Sequence, residues 1–305
     1  MQTILGSTGQ IGEELVKELH DNYTTDLRLV SRHPRKIHES DQLVAADLLN
    51  FEETNRAVKG SEIVYFTAGL PMVSALWEQQ FPTMMKNVIE ACIQNNSKLV
   101  FFDNTYMYQK DSMPQTEESP FQPVGKKATV RAKIAQMLLD KMATNEIEAV
   151  ICRAPEFYGP GRTQSFTNTM IFDNAKNQKA LQVPLNDQAL RTLIWTPDAS
   201  RAMALIGNTA DAYGQTWHLP CDESKTYAQL IEMTETILQK ELKYTVVKMW
   251  QFRLGSLFNK RLKEMKELLP RYQVDNKFIS DKFKNRFPEF KVTTFEEGIT
   301  ELMHE

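Results

Sequence analysis

Three glycines set three residues apart, Gly6, Gly9 and Gly12, constrain this chain more than any other feature. They follow a short apolar run, Ile4 and Leu5, and precede a stretch that carries Ile11, Leu15 and Leu19 on one helical face. A strand that turns into a helix through such a loop puts backbone N–H groups and a helix N-terminus where a pyrophosphate can sit. Each glycine answers a separate steric demand: the tight turn, the approach of the phosphate to the backbone, and the packing of helix on strand. The loop is therefore read as a dinucleotide site, with Gly6, Thr8, Gly9, Gln10, Ile11 and Gly12 as its cofactor contacts.

The pattern beyond the loop predicts a doubly wound parallel α/β sheet of Rossmann type. Residues 2–5, 27–31, 43–46, 63–68, 99–102 and 149–152 read as strands. The run at 63–68 is almost continuous, as a strand covered on both faces requires. Helical spacing connects Leu76, Met84, Val88 and Cys92, and again Val130, Ile134, Leu138 and Met142. Strands alternating with helices specify right-handed crossovers and a parallel sheet. After Arg153 the pattern breaks at Pro155, Gly159, Pro160 and Gly161. Residues 1–153 are read as the dinucleotide-binding core, to which 186–220 return. Residues 154–185 and 221–305 are read as a smaller substrate lobe. In that lobe the segment from Glu241 reads as helical, and Trp250, Phe252, Phe258, Tyr272, Phe278 and Phe283 read mainly as its core.

Composition narrows the class. The chain has 305 residues, 42% hydrophobic and 25% charged, which suits a globular protein with a sizeable core. No leader precedes the first strand and no apolar run reaches the length of a membrane span, so a cytoplasmic protein with no membrane partner is expected. Cys92, Cys152 and Cys221 form no C-x-x-C pair and read as thiols of a reducing compartment. The five histidines show no metal-ligand spacing, and no metal is expected. The net charge of −3 conceals a basic segment: Thr245–Lys291 holds 12 Lys/Arg and 5 Asp/Glu, a balance of +7 against −10 elsewhere. No nucleic-acid recognition motif accompanies it, so a solvated helical lobe is the reading, with a lobe favouring an anionic substrate as a further option.

The end of the second strand bears on the choice of cofactor. NAD sites commonly carry an Asp or Glu there for the ribose hydroxyls, whereas this chain has Ser31 followed by Arg32. A guanidinium beside a small hydroxyl accommodates a 2′-phosphate. NADP is therefore favoured, with NAD as the alternative. Asp47 and Leu48 are placed to meet the adenine, and Thr67, Ala68 and Gly69 to admit the adenosine ribose.

At this point the chain resembles the extended short-chain dehydrogenase/reductase family, which holds nucleotide-sugar epimerases and dehydratases. The resemblance rests on the glycine loop, on Tyr106-Met107-Tyr108, on the turn Phe157-Tyr158-Gly159-Pro160-Gly161 and on Arg191…Asp198. Trp217-His218-Leu219-Pro220 and Thr293-Thr294-Phe295-Glu296-Glu297-Gly298 complete it. The resemblance implies hydride transfer on a small carbonyl, polyol or nucleotide-sugar substrate, and a homodimer built through the two long helices. The family signature is Tyr-x-x-x-Lys on a helix with an upstream Ser or Thr. Here Thr129 stands for the tyrosine, Lys133 keeps the lysine, and Asn104 takes the upstream position.

Threonine is too short and too weakly acidic to replace the phenol, which leaves three possibilities open. The acid has moved, to Tyr106 two residues along from Asn104 or to Glu156, which stands where relatives carry Asn beside the substrate. Alternatively, the chain is an NADP(H)-binding sensor without catalysis, or the helix alignment is off by a turn. Arg191 matches the family arginine that meets substrate phosphates, and an ion pair with Arg153 or Arg191 is the other reading of Glu156.

Overall fold

The computed structural model describes residues 1–161, 163 and 165–305. The chain divides into two compact units, 1–107 with 125–154 and 199–219, and 108–124 with 155–198 and 220–305. The return to the first unit thus begins at Ala199 rather than at 186, and 108–124 leaves the first unit for the second.

The first unit is a seven-stranded parallel sheet with helical crossovers. Its elements are β1 (Gln2–Leu5), α1 (Gln10–Asn22), β2 (Leu27–Ser31), β3 (Gln42–Ala45), α2 (Phe51–Val58) and β4 (Ile63–Phe66). They continue with α3 (Ser74–Gln94), β5 (Lys98–Asp103), α4 (Lys126–Ala143) and β6 (Ala149–Arg153). The strand Thr216–His218 adds the edge beyond β6. The spatial order is that edge strand, then β6, β5, β4, β1, β2 and β3. Every residue of β1 and β4 is buried, as their central place demands, whereas β3 at the far edge leaves Leu43 41% exposed. Val30, Leu5, Phe66, Phe101, Ile151 and Thr216 stand in one row across six strands. The parallel register therefore brings the ends of β1, β2, β4 and β5 to one edge, where open α/β sheets bind ligands.

Besides the helix Thr196–Gly207, most of which belongs to this unit, two features are not expected from the sequence. One is α2, whose start is fixed by Asn50 accepting from the amide of Glu53 at 3.2 Å. The other is the seventh strand, whose three residues are too few for a periodicity to register.

The second unit, taken by itself, is built from short pieces around an aromatic core. Glu156–Tyr158 pairs in parallel with Leu193–Trp195, and Leu181–Pro184 with Tyr244–Val247. The Tyr158 ring lies 5.1 Å from Trp195 and 5.0 Å from Phe295. The helices Tyr227–Leu238 and Phe295–His304 both begin with a capping box, Thr226 with Gln229 and Thr294 with Glu297. The stretch from Glu241 is not wholly helical, since Tyr244–Val247 is a strand. Phe252, Tyr272, Phe278 and Phe283 are core residues, but Trp250 and Phe258 are exposed. Among the described residues no helix is long and apolar enough to cross a membrane.

Close approach at the first turn holds α1 on the sheet. A Cβ on Gly12 would lie 2.3 Å from the carbonyl oxygen of Gly6, and a Cβ on Gly6, at φ +100°, 2.5 Å from the amide nitrogen of Ala68. A Cβ on Gly69 would meet nothing within 4 Å. Gly12→Ala should therefore cost about 1–3 kcal/mol in urea unfolding, as overpacking does. Gly69→Ala should stay within about 0.5 kcal/mol of the parent. Equal stability of the two variants would contradict this packing.

Candidate functional site

The glycine loop is built from the backbone outward. The amides of Gly6 and Ser7 donate to the Val30 carbonyl at 2.9 and 3.3 Å, which ties the end of β1 to β2. The Gly9 amide donates to Gly6 at 3.1 Å and closes the turn. Gly9 caps α1 with no side chain of its own, and α1 begins at Gln10. The first amides of a helix have no acceptor inside it, and the helix dipole adds positive potential there. Thr8 is exposed, Gln10 is half-buried, and Ile11 and Gly12 are buried.

The other expected cofactor contacts lie at the same sheet edge. Ser31 ends β2, half-buried, and its hydroxyl accepts from the His33 amide at 3.2 Å. Arg32 beside it is exposed. Thr67 bridges the carbonyls of Leu5 and Gly6 at 3.1 and 3.4 Å, so it braces the loop from β4. Ala68 is half-buried under Gly6, and Gly69 is exposed. Asp47 accepts from the Leu49 amide at 3.1 Å, and Leu48 is buried.

The residues expected to do chemistry fall into different surroundings. β5 ends at Asp103, so Asn104 and Tyr106 stand on a turn rather than on one strand face. Asn104 Oδ1 accepts from the Tyr106 amide at 3.0 Å, an Asx turn. Tyr106 is half-buried, and its ring stacks on Trp77 at 6.1 Å with planes 10° apart. Thr129 is exposed and donates its hydroxyl to the Gly125 carbonyl at 3.0 Å. Lys133, one turn on, is also exposed.

The inward basic residues of α4 are two others, Lys127 and Arg131, again four apart and on one face. Lys127 is fully buried and donates to Ser74 Oγ at 2.7 Å. Arg131 grips Asp103 at the end of β5 through Nε at 2.9 Å and through Nη2, and it also donates to the Phe102 carbonyl at 3.3 Å. Its guanidinium lies 5.3 Å from each of the Phe81 and Phe101 rings. Arg153 meets the other oxygen of Asp103 at 3.3 Å. Removing one partner of such a buried charge group typically costs about 3–5 kcal/mol, so the pairing is costly to break. Motif spacing does not reveal Lys127 and Arg131, because it pairs residue types rather than helix faces. The helix's own apolar stripe, Val130, Ile134 and Leu138, carries the signal that places both residues inward.

Glu156 and Arg191 belong to the second unit and meet there. Glu156 Oε1 accepts from the Thr167 amide and hydroxyl at 3.1 and 3.0 Å, and Oε2 from the Tyr272 hydroxyl at 2.8 Å. Arg191 Nη2 lies 3.6 Å from Oε2. Arg191 is fully buried, donates to the Arg271 carbonyl at 2.6 Å and stacks over the Tyr272 ring at 4.5 Å. Its Nε and Nη2 have no hydrogen-bond partner among the described residues. Tyr272 is the unforeseen member, 116 residues from Glu156 in sequence. Its phenol is held well above its ordinary range by burial and by the Glu156 charge. Burial likewise pushes up the phenols of Tyr65, Tyr158 and Tyr227 and the thiols of Cys92, Cys152 and Cys221. Among the described residues one set offers metal-ligand atoms within 4.8 Å of one another, His20, Asp21 and His38, which no spacing motif announces.

The raised phenols give a pH dependence of definite sign. A group whose folded pKa is raised stabilises the fold below its unfolded pKa, about 10 for tyrosine, and loses that contribution as pH rises beyond it. In alkaline titration, phenolate absorbance of the buried tyrosines should appear together with loss of circular dichroism above about pH 10. Phenolates appearing one by one in an intact fold would contradict their burial.

The model of the NAD dependent epimerase/dehydratase family matches residues 3–219. Among curated proteins no significant match is found. Solved structures share the fold at low identity. UDP-glucuronic acid 4-epimerase from Bacillus cereus, in complex with NAD, aligns with TM-score 0.79 and 15% identity, covering 100% of this chain and 96% of that one. A dTDP-glucose 4,6-dehydratase double mutant from Streptomyces venezuelae, with NAD bound, gives 0.78 and 14%, with 100% and 96% covered. UDP-glucose 4-epimerase from Thermus thermophilus, in complex with NAD, gives 0.77 and 15%, with 100% and 98% covered.

Proposed function

The chain belongs to the NAD-dependent epimerase/dehydratase family, and from that premise we propose an enzyme that holds NADP(H) and acts by hydride transfer on a nucleotide sugar or a related carbonyl or polyol. The observation that carries this reading is the glycine loop: its backbone closes to distances no Cβ tolerates, beside the start of α1. That cradle fits a pyrophosphate. When bound, the nicotinamide supplies the hydride donor or acceptor. Arg32 and Ser31 recognise a 2′-phosphate, and Thr67 with Ala68 lets the ribose approach.

The proton donor is non-standard in this proposal. Both oxygens of Glu156 are engaged by Thr167, Tyr272 and Arg191 within the second unit, which supports a role for Glu156 in orienting Arg191 toward substrate phosphate. Tyr106, half-buried on the turn after β5, is the phenol left to exchange a proton with a substrate oxygen, with Asn104 beside it. On α4 Thr129 and Lys133 are exposed and Arg131 is held by Asp103, so the buried Lys127 is the lysine proposed to meet the cofactor. A second reading, an NADP(H)-binding protein without catalysis, is favoured by one observation. No tyrosine stands on α4, and Thr129 gives its hydroxyl to Gly125.

Dinucleotide titration tests the cofactor assignment. NADP(H) should bind more tightly than NAD(H), and Arg32→Ala should weaken NADP(H) alone by about 1.5–3 kcal/mol, the worth of a charge-assisted contact. Equal affinity for both dinucleotides in the parent protein would overturn it. Single-turnover hydride transfer across a carbonyl and nucleotide-sugar panel tests the chemistry. Tyr106→Phe should slow it about 10²–10⁴-fold, and Lys127→Met should impair it more than Lys133→Met. Tight dinucleotide binding with no turnover on any substrate would establish the second reading.

A further inference from the structure

The basic C-terminal segment singled out by its charge plays no part in the proposed chemistry, and its structure is unusual. The helix Met249–Phe258 buries Phe252 in the core of the second unit, where Met249, Leu262 and Met265 pack around the same cluster. Its other side is apolar and open. Trp250 is 64% exposed, Leu254 52%, Leu257 74% and Phe258 86%. The spacing 250, 254, 257, 258 is one helical stripe. The helix Lys260–Met265 follows directly, capped by Asn259, whose Oδ1 accepts from the Arg261 and Leu262 amides at 2.9 and 3.3 Å. A Cβ on Gly255 would lie 2.9 Å from Leu262 Cδ1, so the two helices are tightly joined, with Leu257 and Phe258 at their corner.

The charge around this stripe is predominantly positive. Residues 248–266 contain six cations, Lys248, Arg253, Lys260, Arg261, Lys263 and Lys266, and one acid, Glu264. All six cations are exposed, whereas Glu264 is half-buried. We propose that this apolar corner and its cations dock the protein reversibly on an anionic lipid surface. Large apolar side chains on one helical face, with a tryptophan and flanking lysines and arginines, form the pattern of a helix lying in the headgroup plane. This mode needs no spanning segment, and no apolar run of membrane length accompanies it.

The competing occupants fit less well. A second copy would bring two faces of the same positive sign together. Nucleic acid would use the cations but leave Leu254 and Leu257 without a role. A rigid protein groove would gain on the order of 500 Å² from four such side chains, short of the roughly 800 Å² per partner of a stable complex. A deformable bilayer accepts protruding side chains without a preformed groove.

Vesicle co-sedimentation of the full chain tests the proposal, with phosphatidylcholine vesicles compared against equal mixtures of phosphatidylcholine and phosphatidylglycerol. The protein should partition onto the mixed vesicles, release them in high salt, and show a blue shift of tryptophan emission that Trp250→Phe removes. The double variants Leu257→Glu/Phe258→Glu and Lys260→Glu/Arg261→Glu should each lower partitioning by about tenfold or more. Their thermal unfolding should be unchanged, since the altered side chains are exposed. No binding to the mixed vesicles would overturn the proposal, as would equal binding to both compositions. A Leu257→Glu/Phe258→Glu variant that turns a dimer into a monomer without affecting vesicle binding would assign the corner to a second copy.

Discussion

Everything in the first unit depends on two backbone segments coming closer than any side chain would allow. Gly12 of α1 lies against the Gly6 carbonyl, and Gly6 lies against the Ala68 backbone beyond β4. These approaches seat the first helix on the first strand, and β1 is the strand to which β2 and β4 are both registered. They also keep the loop backbone close to the sheet, so that the free first amides of α1 stand open at the turn. Packing and the shape of the loop are here the same constraint.

A second fixed point lies across the sheet edge, where Asp103 is shared by Arg131 and Arg153 with almost no exposure. Burying a carboxylate and two guanidinium groups is unfavourable unless each is hydrogen-bonded, and here the pairing joins β5, α4 and β6. It fixes the rotation of α4 about its axis. With Arg131 drawn inward, Lys127 must follow at the same face, and Thr129 and Lys133 must turn outward. The aromatic chain Tyr106, Trp77 and Phe81 extends this corner, the last ring lying beside the Arg131 guanidinium.

The sequence made the strands of the sheet legible because buried parallel strands are short apolar runs, and β4, β5 and β6 carry such runs. It concealed α4's rotation because lysine and arginine are counted as outward residues, although a long cation can lie inward when a carboxylate draws it there. It concealed α2 because eight residues carry too little periodicity, although Asn50 followed by Glu53 is a capping signal. In the second unit the pairing of Glu156 with Arg191 was one of two legible options, but Tyr272 was not, since nothing local announces a partner so distant. Trp250 and Phe258 are exposed although their sequence context suggests core, for a related reason. An aromatic residue shows in sequence that it seeks cover, not whether the chain itself provides it.

The central claim is that the glycine loop of the first unit holds a dinucleotide by its backbone. The most direct measurement is a titration with NADP⁺ followed by amide resonances of isotopically labelled protein. The account predicts that the amides of Gly6 to Gly12 and of Ser31 and Arg32 shift together with one dissociation constant, while those of residues 248–266 stay in place. Saturation that leaves the amides of Gly6 to Gly12 unmoved would contradict it.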